Sequence, residues 1–553
     1  MTPNPPTDSG ADRTKPGPGR VKPGLFSVLA ALWRHRGLGS LPPEDYLGAV
    51  EINSWSKQKA VRGSATTIIS GGLGVLMQLG STMVLARLLT PRDVGLVTIV
   101  TTFTLLLGNV GLNGFTEAII QRESITQEQL STLFWINAAI GFVLTAGFVL
   151  AAAPLASVYH EPELKTIAIA LAFSIALTAL GTLHLALLKR NMEFNILNAN
   201  SVVSKAVSVV LALVAAWMGY GYWALIVGFL SLPAVTALGA WLYCSWRPSL
   251  PARHCGVRPM IQFAIHTLGY FVTNYVGRNL DKVLVGRFCG SALLGNYKRA
   301  YDLFLLPIGL IPAPLTTVAL AALGPLRGEP EKYCRYYLKS VAVMAFIGMG
   351  MGGALTIAGH EIIRVLLGPK WDEAQEVFTW FAPGVGIMLV YYTNAWLHLS
   401  LGHADRWFKW GIVEMTVACL FTLAGLPFGP VGVAAAMTCS FLVLVGPGLS
   451  YAGQPIGLRF STILSATWRY AFSALIAAFL CWLPFLLIAP VASLGAAAGP
   501  FLRLVLKGGM FLALYMGILA LLPFEGTFTP ILDVWKMLRP KWLQTNASQN
   551  GLP

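Results

Sequence analysis

Val84-Leu85-Ala86-Arg87-Leu88-Leu89-Thr90-Pro91-Arg92-Asp93-Val94-Gly95 aligns without a gap on Leu284-Val285-Gly286-Arg287-Phe288-Cys289-Gly290-Ser291-Ala292-Leu293-Leu294-Gly295, at an offset of 200 residues. In both, an apolar run closes on an arginine, a short break follows, and a second apolar run begins. Self-similarity at a fixed offset is the signature of a duplicated architecture. Six hydrophobic spans separate the copies, an even number, so both cross a membrane in the same direction. That is a parallel repeat, as found in several transporter folds. The expected fold is an all-α polytopic membrane protein of about fourteen transmembrane helices, with two six-helix lobes and a terminal helix pair.

Composition fixes the solvent. Of 553 residues, 55% are hydrophobic and only 11% are charged, against roughly 25% charged in soluble domains. So little charge cannot coat a soluble particle of this size. The mean hydropathy of +0.65 reflects apolar runs of about 20 residues, the length that crosses ~30 Å of hydrocarbon.

The net charge of +15 could signal nucleic acid, but that requires a basic patch on a soluble fold. Here Lys and Arg fall mainly between the spans. Placing both termini in the cytoplasm puts roughly 26 of the 39 Lys and Arg on that side, as the positive-inside rule favours. The expected location is the bacterial cytoplasmic membrane, multi-pass. The chain divides into a polar tail (1–60), an N-terminal lobe (61–245), a linker (246–258), a C-terminal lobe (259–450), two further helices (451–525) and a C-terminal tail (526–553). Residues 1–24 are rich in Pro and Gly and read as a disordered segment.

Ionisable groups inside a bilayer cost about 2.5–3.5 kcal/mol each at mid-span, so those that persist face a cavity or a partner. Along span seven, His266, Tyr270, Asn274, Arg278 and Lys282 stand four residues apart, with Asp281 adjoining. Four-residue steps wind slowly, so the five share one broad face. The equivalent positions in span one are Thr66, Ser70, Gly74, Gln78 and Thr82. Asn109, Asn113 and Glu117 make a similar stripe in span two, and Asn198, Ser201 and Lys205 in span five. Each suits a lumen; each could also bond neighbouring helices, or snorkel to water from an interface.

The sequence carries no Walker lysine motif, HExxH, GxSxG or paired carboxylates. Its seven cysteines include no CxxC, so no metal, cofactor or catalytic residue is expected.

Three stretches carry a family resemblance. Ala86 through Leu96 looks like the loop between the first two helices of the polysaccharide transporter, or Wzx-like oligosaccharide flippase, family of the multidrug/oligosaccharidyl-lipid/polysaccharide exporter superfamily. Gly111-Leu112 through Arg122, continuing into Leu130 to Trp135, resembles the stretch that follows. Leu187-Leu188-Lys189-Arg190-Asn191-Met192-Glu193-Phe194 is similar to the basic loop after the fourth helix, with Lys189 where many relatives have Gln. The resemblance covers roughly residues 60–525 of the sequence.

It implies a non-enzymatic flippase that moves undecaprenyl-pyrophosphate-linked oligosaccharide across the membrane by alternating access, for exopolysaccharide, O-antigen or capsule assembly. Its implied partners are that substrate, membrane lipid, and polysaccharide polymerase and export proteins. Arg278, Lys282, Asn274 and Lys205, with Arg87, Arg287 and Arg299 at the outer rim, are the cationic candidates for the head group. Asp281, Glu117, Asn109, Asn113, Gln78 and His266 are the polar lumen or coupling candidates. The lipid tail would stay in the bilayer, through a lateral opening lined by spans thirteen and fourteen. A lipid II flippase shares the architecture and is left open by the stripe. A drug/cation antiporter of the same superfamily would favour acidic cavity residues instead.

Overall fold

The computed structural model describes residues 54–122, 124–253, 255–487 and 499–521, with the side chains of 54–65, 110–113, 266, 270, 273–274, 314 and 484–487 left aside. Most of the N-terminal tail and all of the C-terminal tail therefore lie outside the described residues. Sixteen α-helices form among those described. They are α1 (Ser54–Leu88), α2 (Pro91–Ile120), α3 (Gln127–Tyr159), α4 (Glu163–Arg190), α5 (Phe194–Trp217), α6 (Tyr222–Tyr243), α7 (Arg258–Cys289) and α8 (Ser291–Leu310), followed by α9 (Pro312–Leu323), α10 (Pro330–Leu366), α11 (Asp372–Tyr391), α12 (Thr393–Leu401), α13 (Ala404–Gly425), α14 (Gly429–Gly453), α15 (Phe460–Leu487) and α16 (Pro500–Leu521).

Eleven helical stretches are long and apolar enough to cross a membrane by length and composition alone. One of them, 404–456, folds back as α13 and α14. The polar residues of α7 and of α11–α12 keep those two passes off a hydropathy count, and with them the described helices make fourteen passes. Two passes are broken. Pro312, which has no N–H to donate, ends α8 at Leu310 and starts α9, with Ile311 as the junction. Span ten breaks at Tyr392 into α11 and α12. At the other extreme α1 starts at Ser54, inside the segment that the sequence reads as tail.

The repeat is visible in the packing. In the first lobe α2 and α3 both pack on α4, α4 on α6, α5 on α6 and α1 on α5. Counterparts in the second lobe repeat the pattern, with α8 and α10 on α11, α11 on α14, α13 on α14 and α7 on α13. Between the lobes α2 lies against α8 on the pseudo-two-fold axis. There the duplicated motif meets itself: a methyl group added at Gly95 would fall 1.7 Å from the Ser291 carbonyl oxygen, and one added at Gly295 would fall 1.8 Å from that of Pro91. Only glycine allows backbones this close.

Symmetry then fails in one place. α2 also packs along α7, where the Tyr275 hydroxyl donates to the Thr102 carbonyl at 2.9 Å. The equivalent pair, α1 and α8, makes at most marginal contact. α15 and α16 pack on α10, with Tyr515 and Phe511 set against Gly350 and Gly353. The terminal pair thus flanks the C-terminal lobe. The reason is a row of small residues on α10 that admits two aromatic rings.

Candidate functional site

The face carrying the α1–α2 and α7–α8 turns is here the turn face; the opposite one, where α1 and α7 begin, is the tail face. At the turn face both lobes reach across. Trp371, between α10 and α11, donates its indole N–H to the Ala86 carbonyl at 2.8 Å. Tyr159, at the end of α3, donates its hydroxyl to the Val283 carbonyl at 3.3 Å. Each lobe thus sends one aromatic side chain onto the end of the other lobe's first helix. Arg92 bridges Glu161 at 2.7 Å and Glu163 at 2.9 Å, while Ser291 donates to Glu161 at 2.6 Å. The turn face is closed by this seam.

Toward the tail face a cavity of about 580 Å³ lies in the N-terminal lobe between α1, α2, α4, α5 and α6. Its polar lining includes Gln78, Thr116, Lys189, Asn200, Ser201 and Lys205. α5 delivers Lys205 from one side, and α1 faces it with Gly74, where even a methyl group would stand 3.6 Å from the Lys205 ammonium. The bare backbone there leaves room around the charge. Among the described residues this ammonium has no hydrogen-bond or ion-pair partner. At the mouth Lys189 stands 3.6 Å from Glu117, both about half exposed. Exposed pairs of this kind add little stability, so the lysine remains available to an anion. Two ammonium groups against one carboxylate leave the cavity net cationic.

A family profile described as "Polysaccharide biosynthesis protein" matches residues 84–376, from the end of α1 into α11 and across both copies of the repeated motif. The chain belongs to this polysaccharide biosynthesis family. The teichuronic acid biosynthesis protein TuaB of Bacillus subtilis is 26% identical over 300 residues, covering 54% of this chain and 62% of TuaB. The chain thus spans under two thirds of the length of that relative. The lipopolysaccharide biosynthesis protein WzxC of Escherichia coli is 24% identical over 464 residues, covering 82% of this chain and 89% of WzxC. The succinoglycan biosynthesis transport protein ExoT of Rhizobium meliloti is 23% identical over 331 residues, 60% and 67% of the two chains. Among solved structures, the lipid II flippase MurJ in an inward closed conformation superposes with a TM-score of 0.65 at 15% identity, over 83% of this chain and 98% of that one. An inward-facing multidrug resistance MATE transporter gives 0.51 at 14% identity, over 71% and 96%. At these identities the structures establish a common fold.

In this family member the other sequence-derived candidates divide. Lys282 departs from its expected lumen position. It is 7% exposed, 3.8 Å from Asp281, donates to Asn279 Oδ1 at 2.8 Å and lies 4.4 Å over the Tyr301 ring. Asp281 is as deeply buried and accepts a hydrogen bond from Tyr297 at 2.7 Å. The cause is α8, whose Tyr297 and Tyr301 cover this part of the stripe. Arg278, one turn back, is exposed and within electrostatic reach of Glu414 on α13. His266, Asn274 and Asn113 have side chains outside the described residues.

At the turn face Arg87 is exposed and donates to the Val365 carbonyl at 3.1 Å, and Arg287 is exposed beside the Phe288 ring. Arg299, expected at the rim, is drawn inside, its guanidinium 5.8 Å from the Trp371 ring. Asn109 donates to the Leu105 carbonyl of its own helix at 2.7 Å. Asn198 donates to Thr67 at 2.9 Å, tying α5 to α1. The polar stripe of the C-terminal lobe and the cationic cavity of the N-terminal lobe are thus separate features, and among the described residues Gln78, Ser201 and Lys205 of the sequence-derived stripes line the latter, with Glu117 paired at its mouth. Sequence reasoning passed over Lys189, Asn200 and Thr236. Lys189 ends a span, where a basic residue reads as an interfacial anchor.

Proposed function

We propose that the chain is a flippase for a lipid-linked oligosaccharide, undecaprenyl-pyrophosphate being the carrier that its family resemblance implies, and that it works by rigid-body alternating access between the lobes. The tail face is cytoplasmic and the turn face is external. The observation that carries the reading is the cationic cavity beside Lys205, open on the side where sugars are assembled while the opposite face is shut.

The chemistry is that of ion pairing. A pyrophosphate or acidic sugar crosses hydrocarbon only while charge-paired. Lys189 at the mouth meets the anion first and exchanges Glu117 for it; Lys205, about 17 Å along α5 from its start at Phe194, holds it deeper. Arg278 takes it up on the C-terminal side. Lys282 joins only when the Tyr297 and Tyr301 side chains swing off it, and Asp281 neutralises it until then. The lipid tail stays in the bilayer and follows through the α1–α8 seam. The names of the relatives, which concern teichuronic acid, lipopolysaccharide and succinoglycan, support a polymer-precursor cargo. A polysaccharide polymerase receives the product on the outer side.

The test is surface-polymer output in a strain lacking the chromosomal gene, with variants matched for membrane abundance. Lys205→Ala and the pair Arg278→Ala with Lys282→Ala should each cut output, and Lys205→Arg should retain most of it. Full output from both alanine variants overturns the cationic-path reading. Binding of lipid-linked oligosaccharide, lipid II and a cationic dye to purified protein identifies the cargo class, the first being the one expected.

A further inference from the structure

On the outer flank of the N-terminal lobe, between α3, α4 and α6, lies a second hollow of about 400 Å³, walled by Trp135, Ala138, Phe142, Leu180 and Trp241, with Arg247 at its mouth. It shares no lining residue with the cationic cavity. Phe142 and Trp135 are exposed to the surroundings. Both indoles have turned their polar atoms inward: Trp135 donates to the Ser249 carbonyl at 2.9 Å and Trp241 to that of Leu180 at 2.9 Å. What faces the hollow is therefore ring surface and hydrocarbon.

The single charge at this hollow is fixed in place. Arg247 follows α6 by four residues and its Nη1 donates to the carbonyls of Cys244 at 2.5 Å and Trp246 at 2.8 Å. The guanidinium lies 5.6 Å from the Trp241 ring. The Arg247 carbonyl in turn accepts from Gln127 at 2.9 Å, pinning the linker to α3. A guanidinium offers five N–H donors. Those on Nη2 and Nε have no partner among the described residues, and no described carboxylate pairs with the group. From Trp135 to Phe142 the hollow descends about 10 Å along α3, starting at the helix ends where a bilayer's head groups lie.

We infer that this hollow is a binding site for one anionic phospholipid of the leaflet at the tail face: its phosphate pairs with Arg247, and the upper part of an acyl chain lies along Trp135, Ala138 and Phe142. Charge complementarity selects the occupant. A lone cation, preorganised and unopposed, crowns an apolar crevice on the lipid-facing side, and basic pockets between transmembrane helices at the cytoplasmic face are suited to anionic head groups. The flank lies away from the α1–α8 seam, so the occupant is a resident lipid and not cargo in transit.

The full-length protein, delipidated in mild detergent, is titrated with phosphatidylglycerol, phosphatidylcholine or undecaprenyl phosphate, and bound lipid is counted by native mass spectrometry. Phosphatidylglycerol should be preferred over phosphatidylcholine by about five-fold, the worth of one basic side chain at a membrane surface. Arg247→Gln should abolish that preference and Arg247→Lys restore most of it. Phe142→Ala, at an exposed position that leaves the fold intact, should weaken both phospholipids alike and covers the case in which Arg247→Gln loosens the linker. Equal binding of the two phospholipids by the wild type, an unchanged preference in folded Arg247→Gln, or tighter binding of undecaprenyl phosphate that Arg247→Gln removes, would overturn the assignment.

Discussion

Trp371 gives its indole N–H to the carbonyl oxygen of Ala86, a buried hydrogen bond that crosses 285 positions of sequence and both lobes. The ring also carries Arg299 on its face. Two independent ties therefore meet in one side chain at the closed turn face.

Trp371→Phe separates them, keeping a ring for Arg299 while stranding the Ala86 carbonyl. Leaving a buried acceptor unsatisfied costs about 1–3 kcal/mol, and here the cost falls on the closed state alone. In a cysteine-free background, a cysteine at position 291, where Ser291 is buried, should react faster with a membrane-impermeant maleimide in Trp371→Phe than in the parent. Equal rates would show that the bond is not part of the closure.

Gly95→Ala and Gly295→Ala act on the same seam by steric exclusion. Each methyl group would meet a backbone oxygen that cannot swing away, and overpacking of this kind costs about 1–3 kcal/mol or more. Either variant should populate the form open at the turn face and reduce surface-polymer output. Turn-face accessibility measured by cysteine labelling, at matched protein abundance, distinguishes this from loss of folding.

Lys189→Gln should change thermal stability little, since the pair with Glu117 is half exposed and such pairs contribute at most about 1 kcal/mol. Its effect should appear in binding: affinity for a lipid-linked anion falls, and the salt dependence of that affinity flattens. A variant that loses stability but keeps affinity would assign Lys189 a structural role.

Glu361 and Lys507 hold the terminal helix pair to the C-terminal lobe, at 2.7 Å with the carboxylate only 3% exposed. Removing one partner of a buried pair costs about 3–5 kcal/mol. Lys507→Met should therefore lower the unfolding temperature in detergent, whereas adding Glu361→Gln should recover much of the loss. Failure of the double variant to recover would mean that the pair itself, and not a stranded Glu361 charge, accounts for the loss.

Much of the architecture could be read from the chain because it rests on periodicities: apolar runs of membrane length, and a motif repeated 200 positions on. The site was harder for a physical reason. The spacing of Arg278 and Lys282 tells that they share a helix face, but not that α8 would lay Tyr297 and Tyr301 across half of it. Lys205 was legible as an isolated cation within a span. Its companion Lys189 was not, since its place at a span's end disguised it, and the emptiness at Gly74 that gives Lys205 its space belongs to another helix. The α1–α8 asymmetry has no trace in a motif common to both halves.

At the crossing of Gly95 with Ser291 and of Gly295 with Pro91, what keeps the outside from the inside is main chain pressed on main chain. A plug made of long side chains must swing or reorder before it lets water by; a seam made of peptide groups needs only to part by the width of a methyl. Leakage of small ions is thus governed by a very short stroke, and the two positions that set it are the ones where the chain has given up every side-chain atom it could have used as a seal.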